Sequence, residues 1–113
     1  MSLSTEVREY SGVTIVDMTG RITLGEESGK VRETVRGLLD GGATKLVLNL
    51  RGVTYIDSSG LGELVSAYTT AQTKGCEIKL LNVQAKVQDL LQITKLHTVF
   101  HCLTDETEAV TSF

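Results

Sequence analysis

The segment that most constrains this chain is the apolar run Leu46-Val47-Leu48-Asn49-Leu50, broken only by Asn49. A run that is apolar at consecutive positions, without alternation, is the pattern of a strand covered on both faces, so it calls for a sheet packed above and below. Further on, Leu61, Leu64, Val65 and Tyr68 recur at i, i+3, i+4 and i+7 and mark one face of a helix. Between the two lies Tyr55-Ile56-Asp57-Ser58-Ser59-Gly60-Leu61-Gly62. Its acidic and hydroxyl residues therefore fall at a helix N-terminus, where backbone N–H groups lack intrahelical partners and the dipole presents partial positive charge.

The rest of the chain extends this pattern. Residues 5–10 and 13–18, parted by Ser11-Gly12, read as two strands in a tight hairpin, and 20–25 as a turn. Val31, Val35, Leu38 and Leu39 mark a helix ending at Asp40-Gly41-Gly42, where glycine suits the left-handed position after a helix. A third strand is expected over 45–50, a helix from Ser58 to about Lys74, and a strand over 77–81. Val87, Leu90 and Leu91 fit a third helix, and 99–103 a short last strand. Asp105 and Glu108 form an acidic capping pair for a terminal helix burying Ala109, Val110 and Phe113. Two strands followed by alternating helices and strands predict an α/β fold: one domain over residues 1–113, with a mixed, mostly parallel sheet of about five strands and about four helices. Ligands and partners of such sheets are met at the carboxyl ends of the strands, which is where Asp57 to Gly62 falls.

At 113 residues the chain is the size of one domain able to close its own core. Its net charge of −3, with acidic and basic residues interspersed, provides neither a basic stripe for nucleic acid nor a polybasic membrane anchor. The start, Met1-Ser2-Leu3-Ser4-Thr5-Glu6, lacks a basic region followed by an apolar one, and the reading is a cytoplasmic protein with no membrane partner. Cys76 and Cys102 have no CxxC spacing and read as buried thiols.

Several chemistries are open to the Asp57–Gly62 turn. A nucleophilic Ser58 lacks the G-x-S-x-G elbow, since Ile56 and Asp57 precede it, and neither His97 nor His101 is placed beside it by the sequence. A phosphate-binding P-loop is missing too: the Gly20 to Gly25 spacing is followed by Glu26 where lysine is needed. His97, His101 and Cys102 do not share a helix face, so no metal or other cofactor is assigned. Two readings remain. An exposed serine at a helix start suits phosphorylation, because the added charge of roughly −1.5 to −2 meets N–H groups and a favourable dipole. Gly60 and Gly62 would then let a partner or kinase approach closely. Alternatively, Asp57 and the serines are ordinary N-cap residues and the glycines ease packing. On the residues alone, capping is the stronger of the two.

Val47-Leu48-Asn49-Leu50, the lead-in Val53-Thr54-Tyr55-Ile56 and the string Asp57-Ser58-Ser59-Gly60-Leu61-Gly62 together closely resemble bacterial anti-sigma factor antagonists, the STAS-domain family. Val16-Asp17-Met18-Thr19-Gly20, Gly75-Cys76-Glu77-Ile78 and the helix over 87–91 also have counterparts there, so the resemblance spans nearly the whole chain. It implies a non-enzymatic partner-switching regulator of sigma-factor-dependent transcription, whose partners are an anti-sigma factor with serine kinase activity and a serine phosphatase. Ser58 would be the phosphoacceptor and Asp57 its neighbour at the helix start. Ser59 would be a capping or docking hydroxyl, with Gly60, Leu61, Gly62 and Thr23 counted among the partner-contact positions. The chain departs from sporulation-type members at Arg21-Ile22-Thr23, where those often carry acidic residues. The alternatives are an accessory STAS subunit of a transporter or lipid-trafficking complex, a scaffold component of a stress-sensing assembly, and a small serine-dependent enzyme.

Overall fold

In the computed structural model, which describes residues 3–113, the chain begins with a hairpin of β1 (Leu3–Tyr10) and β2 (Val13–Ile22). Its two-residue turn, Ser11-Gly12, has φ of 52° and 81°, the left-handed pair that matches the twist of an antiparallel hairpin. Then follow α1 (Glu26–Asp40), β3 (Lys45–Ile56), α2 (Ser58–Thr73), β4 (Glu77–Leu81), α3 (Ala85–Ile93), a 3₁₀ turn (Leu96–Thr98), β5 (Cys102–Leu103) and α4 (Glu106–Thr111). The sheet order is β1-β2-β3-β4-β5, antiparallel between β1 and β2 and parallel elsewhere, as the pattern of elements predicts.

The two-sided burial expected of 46–50 is what fixes the layers. Leu46, Leu48 and Leu50 join the main core beneath α1, α2 and α3, together with Val31, Val35, Leu64, Val87 and Leu91. Val47 points to the opposite face and packs with Val13, Ile15, Leu81, Leu103, Ala109 and Val110 under α4. Each such side chain, removed from water, contributes about 1.5–3 kcal/mol before chain entropy is set against it. Asn49, the one polar interruption, shares the face of Val47 and donates from Nδ2 to Asp17 Oδ1 at 2.7 Å.

The short α4 is held by polar ties as well as by its core residues. Asp105 caps it, accepting from the Glu108 N–H at 3.0 Å, as its spacing predicts. The Arg8 guanidinium on β1 bridges Asp17 on β2 and Glu106 on α4. That cation holds both carboxyls below the usual carboxylate range. On β4, the buried Lys79 Nζ donates to the Ser112 carbonyl and hydroxyl, each at 2.8 Å.

Three boundaries differ from expectation. The turn expected at 20–25 is strand as far as Ile22, and β3 runs on past Leu50 to Ile56. Register shifts between Asp17 and Thr19 and between Gly20 and Arg21 let the pairing continue, so that Arg21 meets Tyr55 and Ile22 meets Ile56. Gly52 makes room for this: a Cβ there would lie 2.7 Å from Thr19 Oγ1 and 2.9 Å from the Met18 carbonyl. The last strand shrinks from 99–103 to two residues, because Lys95 turns left-handed and the 3₁₀ turn consumes the preceding chain. Cys76 is buried as expected whereas Cys102 is only partly so; both are free thiols pushed up in pKa by burial.

Candidate functional site

The parallel strands β2 and β3 end side by side, with Ile22 opposite Ile56. The chain leaves β3 through Asp57, whose N–H donates to the Ile22 carbonyl at 3.2 Å and whose backbone is extended, at φ −92° and ψ −177°. That conformation aims the carboxylate back over the first turn of α2. Oδ1 accepts from the Gly60 N–H at 2.8 Å, the N-cap bond, while Oδ2 accepts from the Leu24 N–H at 3.0 Å. One side chain thus pins the start of α2 to the loop leading into α1. These N–H donors, Gly60 first and Leu24 next, hold the Asp57 carboxyl below its ordinary pKa.

Ser58 is the first residue of α2 and is exposed. Its hydroxyl has no hydrogen-bond partner among the described residues, so it is free at the helix N-terminus. Ser59 is half-buried and does not cap; the capping bond comes from Asp57. The two glycines differ. Gly62 faces open space, as the expectation of close approach requires. Gly60 is buried, and a methyl there would overlap the Ile22 carbonyl oxygen, with Ile22 Cγ2 at 2.8 Å and Ile56 Cγ2 at 2.9 Å. The close approach at Gly60 is therefore made by its own chain, which corrects the expectation that a partner uses that space. Leu61 is 7% exposed and belongs to the main core, with one edge on the groove beside Ser58.

Thr23 lies next to the turn in space: it follows Ile22, and its hydroxyl donates to Glu27 Oε1 at 2.6 Å while its carbonyl accepts from the Ser28 N–H at 3.0 Å. Thr23 therefore organises the start of α1 as Asp57 organises the start of α2. Of three further neighbours, Arg21 and Tyr55 stand in segments that the sequence singles out, and Leu24 does not. Leu24 is 75% exposed beside Asp57, Tyr55 is 46% exposed, and the Arg21 guanidinium stacks 4.9 Å from the Tyr55 ring centroid. The signal that could have found Leu24 is a large apolar residue inside the 20–25 segment that reads as a turn, where burial is not expected. Beside Ser58, and bordered by Tyr55 as well, an open groove of about 540 Å³ runs between α2 and α3, with Leu61, Val87 and Leu90 as apolar lining and Lys86 as a cation. Neither His97 nor His101 lines it; His101 borders a separate groove of about 610 Å³ with Tyr68, Cys76 and Lys79. Among the described residues, no three His, Cys, Asp or Glu side chains gather to hold a metal ion, and no helix is long and apolar enough to cross a membrane.

The Asp57 bridge can be tested directly. Asp57→Ala should lower Tm at neutral pH and speed amide exchange at Gly60 and Leu24 above the rest of the chain. Because the folded carboxyl has a depressed pKa, its contribution is present above the unfolded value near 4 and fades as pH falls through the folded value. The Tm gap between the two proteins should narrow on acidification, and a gap that stays constant with pH would refute the bridge.

The site thus consists of an exposed, unpartnered serine at a helix start, capped by an aspartate and rimmed by exposed apolar side chains. The chain's relatives share the arrangement of the whole fold. The STAS domain family model matches residues 4–109. An anti-sigma F factor antagonist from Paenibacillus polymyxa is 28% identical over 116 aligned residues, covering 98% of this chain and 95% of the relative. An anti-sigma-B factor antagonist of Bacillus subtilis is 28% identical over 99 residues, covering 88% of this chain and 89% of its own. The crystal structure of an anti-sigma factor antagonist from Mycobacterium paratuberculosis superposes with a TM-score of 0.84 at 19% identity, across 98% of this chain and 93% of that one. A family match that takes in all five strands, with a superposition that spans the same sheet and helices, leads to one conclusion: the chain belongs to the STAS domain family.

Proposed function

We propose that this protein is a cytoplasmic anti-sigma factor antagonist, a binding module without enzymatic activity, controlled by phosphorylation of Ser58. Its partners in this reading are an anti-sigma factor that is also a serine kinase and a serine phosphatase that reverses the modification. The observation that carries it is the state of Ser58: exposed, without a hydrogen-bond partner, and set at the first position of α2 by a neighbour that does the capping in its place. A serine needed for capping would be tied to the backbone, whereas this one is free to enter a kinase site.

The electrostatics favour a switch of partners over a change of fold. A phosphoryl group on Ser58 adds roughly −1.5 to −2 charge at an exposed position, which the helix N-terminus tolerates. The nearby Gly60 N–H is already taken by Asp57, so the new charge sits beside an ionised carboxylate with water as its main ligand. Any partner covering Ser58, Leu24 and Tyr55 would have to strip that water away. The unmodified surface, with apolar side chains around a neutral hydroxyl, carries no such cost. The relatives named above, antagonists of anti-sigma factors, support the same reading.

The test is intact mass of the protein and of its Ser58→Ala and Ser59→Ala variants, isolated from native cells with and without serine phosphatase treatment. The expected result is one phosphate-sized increment, removed by phosphatase, absent in Ser58→Ala and retained in Ser59→Ala. Absence of the increment under every growth condition would overturn the switch.

A further inference from the structure

β1 is the outermost strand of the sheet, and nothing among the described residues pairs with its far edge. The Ser11-Gly12 turn, with both φ positive, makes Tyr10 and Val13 a hydrogen-bonded pair. Alternation along an antiparallel ladder then turns the backbone groups of Ser4, Glu6, Arg8 and Tyr10 inward to β2 and those of Leu3, Thr5, Val7 and Glu9 outward. Only odd-numbered residues can therefore bond to an added strand. Val7, at the middle of this row, is 47% exposed although it is apolar.

We propose that this edge is an interface with a second copy of the chain, in which the two β1 strands pair antiparallel about a two-fold axis through Val7. In that register Val7 faces Val7 of the second copy once, on the axis, while Thr5 faces Glu9 and Glu6 faces Arg8 twice each. The outward N–H and C=O groups of Val7 meet their counterparts, and opposite charges stand directly across the new ladder. Shifting by one symmetric step in either direction sets Glu6 against Glu6 or Arg8 against Arg8, which like-charge repulsion disfavours. Charges on an edge strand ordinarily discourage pairing. Here their signs alternate about an apolar centre, so they oppose the wrong registers and favour one. Arg8 already lies on this face between Asp17 and Glu106, and Glu6 of the second copy would join that cluster. The two Ser58 sites, at the strand ends of β3 and beyond two intervening strands, stay uncovered. The contact is small, so the dimer is weak and concentration-dependent.

Sedimentation equilibrium from micromolar concentration up to about 1 mM should show the mass rising toward twice that of the chain. Val7→Pro removes an outward N–H and leaves the β1–β2 ladder intact. It should remain monomeric over the same range with an unchanged circular dichroism spectrum. Glu6→Lys should weaken association at least tenfold. Val7→Cys should be joined across the axis by a short bis-maleimide, whereas Glu9→Cys and the unsubstituted protein should not. A native chain that stays monomeric throughout overturns the proposal. So does a dimer that persists in a folded Val7→Pro, or cross-linking as efficient at Glu9→Cys as at Val7→Cys. Should Val7→Pro fail to fold, the two cysteine variants decide the matter.

Discussion

Gly60→Ala is expected to destabilise the folded chain by about 3 kcal/mol, near the top of the range for overpacking a rigid site. The added methyl meets a backbone carbonyl, that of Ile22, and two branched side chains, none of which can swing aside. Relief would have to come from separating α2 from the ends of β2 and β3, which would also break the Asp57 cap. The same substitution at Gly62 should be neutral or stabilising by up to about 1 kcal/mol, because its Cβ enters open space and alanine is the better helix former. Urea unfolding of the two variants, with m-values checked for constancy, measures the difference. Equal midpoints would show that the helix–sheet contact at Gly60 is looser than described. The pair also separates the roles of the two glycines in docking, since Gly62→Ala alters the outer surface without straining the fold.

The second large effect concerns affinity. In the proposed switch, Ser58→Ala should bind the cognate anti-sigma factor about as well as the unsubstituted protein, while Ser58→Glu should lose about a hundredfold, or ~2.7 kcal/mol. A single carboxylate carries less charge than a phosphate, so the fully phosphorylated protein should lose more. Calorimetric titration of the three forms at one ionic strength makes the comparison. Binding by Ser58→Glu within a factor of two of Ser58→Ala would place the docking surface away from the serine. The mass measurement could then still succeed, because modification and docking are separate properties. Ser58→Glu should also leave Tm nearly unchanged, since the residue is exposed at a helix start where a negative charge is favoured.

Legibility in the sequence followed the range of the interactions involved. β4 was read with its observed ends because Gly75 takes a positive φ just before it and apolar burial fills it, both local signals. The start of α2 was equally plain from Asp57 and the period of Leu61, Leu64 and Tyr68. The far halves of β2 and β3 were not, because Thr19, Arg21, Arg51, Thr54 and Tyr55 are exposed and carry no burial pattern. Their strand character comes from pairing with each other across the register shifts. Nor could the sequence distinguish Gly60 from Gly62. Both sit in the same motif, and only the packing of α2 on Ile22 and Ile56 makes one indispensable and the other free. Of the two readings of the turn, the capping one falls to Asp57, and Ser58 is left with the free hydroxyl that the proposed switch requires.

The link from Arg8 to Glu106 spans 98 positions of sequence. The β1–β2 hairpin closes through near neighbours and can form early, but one of the acids that Arg8 grips lies in α4, which follows every strand of the sheet. Until α4 arrives, Val13, Ile15 and Val47 face water and the sheet has one bare side. A chain synthesised only as far as α2 can thus hold the Asp57–Ser58 turn, built from β2, the loop into α1, β3 and α2, while its opposite face remains open. Long-range closure of this kind slows folding. It makes the docking of α4 the step that turns a partly built sheet into a sealed one.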